Sequence, residues 1–118
     1  MKKFLAVFTG SVTSNSQAAW QALDEVARQK RTAEGMAAWG AWMATHHASI
    51  VVEGGPLGKT KLVSHAGIAD IRNNLSGFVV VSADSHEAAA CMFEGHPHFA
   101  IFPGDGVEIM ECMPIPGR

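Results

Sequence analysis

The sequence predicts an α+β fold, a ferredoxin-like β-α-β-β-α-β arrangement with an added helix and a minor hairpin, two copies of which close into a dimeric α+β barrel. Three observations predict it. Short apolar runs at 4–8 and 77–81 and an alternating run at 107–113 have strand character, because β-branched and aromatic side chains suit a pleated surface. Helical periodicity fills the stretch after the first run, and a capped helix separates the last two. The runs at 4–8 and 77–81 are also apolar on both faces, and the helices suffice to cover one.

In chain order, Phe4 to Phe8 forms strand one, with Phe4, Ala6 and Phe8 on one side and Leu5 and Val7 on the other. Residues 15–31 carry Trp20, Leu23, Val26 and Ala27 at helical spacing, with Asp24, Glu25, Arg28 and Lys30 opposite. Thr32 is expected to cap a second helix with a wide apolar face built on Met36, Trp39 and Met43, with Trp42 beside them. Ala48 to Val52 is expected to be a strand that stops in a turn at Glu53-Gly54-Gly55-Pro56. Lys59 to Ser64 is a short strand, His65-Ala66-Gly67 a turn, and Asp70 to Asn74 a polar loop.

The next strand is Gly77 to Val81. A helix follows, capped by Asp84 with Glu87 reaching back and stopped by Gly95, and Pro97 forbids its continuation. Val107 to Met113 alternates with period two and ends at Pro114. The second face of the resulting sheet needs a cover, and a second copy of the chain is the simplest one, through an isologous contact. The rival cover is the 57–67 hairpin folded back as a lid, too short for a whole sheet face.

At 118 residues, residues 1–118 make one domain. Nine basic against eleven acidic residues, with no basic run longer than Lys30-Arg31 or Lys59-Thr60-Lys61, argue against nucleic acid as a partner. Met1-Lys2-Lys3 and the apolar run behind it fall short of the roughly 7 to 15 apolar residues of a signal core, and no segment has membrane-spanning length. Cys91 and Cys112 have no metal-ligand spacing and are expected to be buried thiols in a reducing cytoplasm. The Asn74-Leu75-Ser76 sequon is then a chance match.

The runs Met36-Ala37-Ala38-Trp39-Gly40-Ala41-Trp42-Met43, Gly54-Gly55-Pro56-Leu57-Gly58-Lys59-Thr60, Leu75-Ser76-Gly77-Phe78, Phe93-Glu94-Gly95-His96-Pro97-His98 and Val107-Glu108-Ile109 together resemble the YCII-related family. The resemblance spans nearly the whole chain and implies the dimeric α+β barrel that the sheet faces point to. It also implies a site built on a His of the first long helix and an Asp in an Asp-Pro step. Here that step is His96-Pro97, and Met36 to Trp39 carries no His, so His96 stands in place of the family's Asp.

His96 is the candidate catalytic acid or base, because an imidazole titrates near neutrality. His98, beyond the proline, is a candidate substrate-binding residue. Arg72 and Asn73, just before the strand at 77–81, offer donors suited to a carboxylate or phenolate, and Trp39 offers a stacking surface. No zincin, Walker or dinucleotide motif and no convergent ligand cluster is present, so neither a metal nor a cofactor is expected. The expected activity is acid/base chemistry on a small aromatic or keto-acid-like molecule, the alternative being a non-catalytic small-ligand-binding or accessory domain.

Overall fold

A computed structural model describes residues 1–117. Strands β1 (Lys2–Thr9), β2 (Ile50–Pro56), β5 (Leu75–Ala83) and β6 (Gly106–Glu111) form one antiparallel sheet in the order β2-β5-β1-β6. Between β1 and β2 run α1 (Asn15–Ala22) and α2 (Glu25–Thr45). Between β5 and β6 lie α3 (His86–Cys91) and the single turn α4 (Pro97–Ala100). This is the ferredoxin-like order with one extra helix on the first crossover. The hairpin β3 (Thr60–Ser64) and β4 (Gly67–Ile71) makes a separate two-stranded sheet.

Register decides which residues form the core. Phe4 pairs with Val81 and Ala6 with Val79, so these residues, with Phe8 and Ala83, share the face that α2 and α3 cover through Trp42, Ala89 and Phe93. Each large side chain taken out of water there contributes roughly 2 kcal/mol. The alternate residues, Leu5 against Val80 and Met110, and Val7 against Phe78, turn to the opposite face. Met110 stays 43% exposed and Val52 46%. The hairpin does not roof that face: along β3 and β4 every residue except the half-buried Thr60 is exposed.

Several local expectations are corrected. The helical stretch breaks at Leu23, and Asp24 caps α2 by accepting the Ala27 amide at 2.7 Å. Thr32, expected to be a cap, lies inside α2 with its hydroxyl on the Arg28 carbonyl. Ser85, not Asp84, caps α3 through the Ala88 amide. Gly95 takes the expected left-handed conformation, φ 66°, but Pro97 starts α4 at its first position, where the missing amide costs nothing. Gly54 and Gly55 continue β2 through an irregular register, and 67–71 is a strand where 70–74 was expected to be loop. Both cysteines are exposed, not buried.

Candidate functional site

A cleft of about 550 Å³ opens between α2 and the β2–β5 edge of the sheet. Its wall is aromatic and sulfur-bearing: Trp39, Trp42, Met36 and Met43 from α2, Phe8 from β1, and Phe102. The polar side chains in the wall are Glu53, Ser76 and His98. Gly54 shapes the floor on the β2 side. With φ at 68° its missing Cβ leaves room for the Phe78 carbonyl, which a Cβ would meet at 2.0 Å.

The two histidines of the His96-Pro97-His98 step enter the site differently. His96 is the N-cap of α4, and its Nδ1 accepts the His98 amide at 3.0 Å. An imidazole nitrogen that accepts carries no proton, so the proton sits on Nε2. That Nε2 is buried with no hydrogen-bond partner among the described residues. Around it stand Trp39, perpendicular at 4.6 Å between ring centroids, Trp42 at 4.9 Å and Phe8 at 5.1 Å. At 1% exposure His96 lies behind the cleft wall and not in it. Burial first, then the nearby His98 and His46, push its pKa down to about 4.

His98 does line the cleft. Its Nε2 sits 2.7 Å from the Thr9 carbonyl, which also accepts the Asp105 amide at 2.9 Å. A carbonyl only accepts, so Nε2–H donates and Nδ1 is the ring nitrogen left without a protein partner among the described residues. The ring fits because residue 104 is glycine: a Cβ there would come within 2.3 Å of Nε2.

Of the residues singled out in the sequence, Trp39, His96 and His98 come together, Trp39 and His98 in the wall and His96 behind it. Arg72 and Asn73 do not join them. Both are exposed, and Asn73 ties the hairpin base, donating to Thr60 Oγ1 at 3.2 Å and accepting the Leu75 amide at 3.0 Å. Sequence reasoning missed Glu53, Ser76, Phe102 and the Thr9 carbonyl. Glu53 falls inside the β2–β5 register irregularity between Val52 and Gly55, Ser76 inside the β1–β5 irregularity opposite Phe8 and Thr9, and a backbone oxygen has no signature in residue type. The exposed thiol of Cys91 is pushed up first by its hydrogen bond to Glu94, which favours the unreactive protonated form. Among the described residues, no group of three or more His, Cys, Asp or Glu is placed to hold a metal ion, and no helix is long and apolar enough to cross a membrane.

Fold and cleft together define a ferredoxin-like α+β protein with a largely aromatic cleft of small-molecule size. No family model matches the chain, and no curated protein matches it. Among solved structures it is similar to 5-chloro-2-hydroxyhydroquinone dehydrochlorinase (TftG) from Burkholderia phenoliruptrix AC1100, in complex with 2,5-dihydroxybenzoquinone. The TM-score is 0.54 at 17% identity, over 94% of this chain and 93% of that one. A likeness at that identity shows a shared fold.

Proposed function

We propose that this chain is a YCII-like enzyme that performs cofactor-independent acid/base chemistry on a small aromatic or keto-acid-like molecule in the α2–β5 cleft. The observation that carries the reading is His98, a cleft-lining residue among aromatic rings, whose Nε2–H is fixed on the Thr9 carbonyl while Nδ1 has no protein partner among the described residues. An imidazole held in one tautomer is a ready base. His98 Nδ1 takes the hydroxyl proton of an enolic or phenolic ligand and returns it to a ring or side-chain carbon, a tautomerisation that conserves every atom. Trp39 supplies the stacking surface.

His96, the residue first expected to be the base, is a positioning residue in this reading. Its Nδ1 is occupied by the His98 amide, and burial keeps it neutral. Arg72 and Asn73 would serve a ligand only from outside this cleft wall. The TftG structure holds a hydroxylated quinone, which supports a planar oxygenated ligand on the shared fold. The chain is a homodimer in this reading, joined through the face bearing Leu5, Val80 and Met110, and its two free thiols fit a cytoplasmic location.

The test is a thermal-shift screen of hydroquinones, hydroxyquinones and small keto acids, followed by absorbance assays on the hits. A hit that raises the melting point and is converted by the wild type, but bound without conversion by His98→Asn, supports the enzyme. Binding without conversion by the wild type favours the ligand-binding alternative, a reading supported by the partner of the His98 ring among the described residues being a backbone carbonyl and not a carboxylate.

A further inference from the structure

The polar groups of the cleft share a property that narrows its ligand. Ser76 Oγ donates its hydrogen to the Phe8 carbonyl at 3.1 Å, Trp42 Nε1–H donates to the Met92 carbonyl at 2.8 Å, and His98 Nε2–H donates to the Thr9 carbonyl at 2.7 Å. What these side chains leave for a ligand is lone pairs on Ser76 Oγ and His98 Nδ1. Among the described residues, the one charged residue in the wall is Glu53, a carboxylate that only accepts, and no Lys or Arg lines the cleft. The remaining surface is aromatic, with Trp39 and Trp42 on one side, and aromatic faces carry negative potential that attracts cations. A carboxylate or phosphate would meet no counter-charge here, whereas an ammonium would meet both a carboxylate and indole rings.

We infer that the cleft selects an aromatic ligand bearing a protonated alkylamine, an arylalkylamine, with the ammonium at Glu53 and the ring against Trp39. This rests on the reading of the cleft as the ligand site, and it narrows that reading away from keto acids. The size of the preference is modest because Glu53 is exposed and its charge is screened.

Three para-substituted phenols of similar size separate the possibilities: 4-(2-aminoethyl)phenol, 4-ethylphenol and 4-hydroxyphenylacetate, titrated calorimetrically at low salt. The expected order is amine tightest by roughly five- to tenfold over the neutral phenol, with the carboxylate weakest. Glu53→Gln should shrink the preference for the amine over the neutral phenol to the part the indole rings supply, and Trp39→Leu should weaken both ligands. High salt should shrink both the amine preference and the penalty on the carboxylate, and should leave the neutral phenol as it was. Equal binding of amine and neutral phenol to the wild type overturns the amine assignment while leaving the cleft as a ligand site. Tighter binding of the carboxylate than of the amine overturns the charge reading as well. Failure of all three probes to bind overturns this inference together with the reading of the cleft.

Discussion

Two regions of this chain are built on opposite principles, the histidine–aromatic box behind the cleft and the β3–β4 hairpin. In the box, His96 is 1% exposed, four aromatic rings stand within 6 Å of its own, and its ring nitrogen caps a helix. In the hairpin, Val63 is 73% exposed and Ile68 72%, and the paired charges Lys61 and Asp70 stand in solvent. The difference teaches where stability and function are coupled. A change in the box is felt by packing, by a helix cap and by the cleft wall at once, whereas a change in the hairpin has almost nothing of its own chain to disturb.

The largest separation between the two regions comes from pH. Folded His96 stays neutral down to about pH 4, while in the unfolded chain it takes up a proton near 6.5. Above 6.5 neither state binds this proton. As pH falls from 6.5 towards 4 only the unfolded state binds it, so stability drops, by up to roughly 3 kcal/mol. Urea melts near neutrality and near pH 4 should show that loss. His96→Asn keeps an acceptor for the His98 amide and should flatten the curve; an equal slope in this variant would assign the acid sensitivity elsewhere.

A smaller effect follows from Gly104→Ala, which places a methyl group against the His98 ring. Overpacking of that kind costs about 1–3 kcal/mol, and it should also displace His98 from Thr9. A lowered melting point together with weakened ligand binding checks it. The smallest effect is on the other side of the comparison. Lys61→Ala breaks the 2.6 Å pair with Asp70 and should change stability by less than about 0.5 kcal/mol, within the scatter of a denaturation curve. A cost above 1 kcal/mol would show that the hairpin is coupled to the rest of the molecule, and would point to a partner surface over it.

Most of the fold could be read from residue pattern because a sheet with a buried face writes itself in alternation. Phe4, Ala6, Phe8, Val79 and Val81 were assignable to faces before any coordinates. What escaped reading was punctuation. Asp24 looked like one more charge on a helix face, yet it caps α2. Pro97 looked like a stop, yet it opens α4, because the ring that blocks a helix interior is harmless in its first turn. Gly54-Gly55 looked like a turn, yet the glycines carry β2 past the Phe78 carbonyl. In the site, residue type drew attention to Trp39, His96 and His98, which lie together, and put His96 ahead of His98, whereas His98 is the one that lines the cleft. Their order is set by depth in the packing and by which nitrogen each has already committed. Arg72 and Asn73 were placed near them by adjacency to β5, and the hairpin base holds them elsewhere.

Thr9 lends the imidazole of His98 nothing but a main-chain oxygen. Such an oxygen survives replacement of the side chain on the residue that bears it, so a change at position 9 that removes the Thr9 hydroxyl from the Gly106 carbonyl still leaves the ring its acceptor. An aspartate in the same job would be lost to a single codon change. Alanine scanning is blind to a contribution of this kind; an ester bond in place of the 9–10 peptide weakens the acceptor without altering a side chain, and it also removes the Gly10 N–H that donates to the Asn74 carbonyl at 2.9 Å.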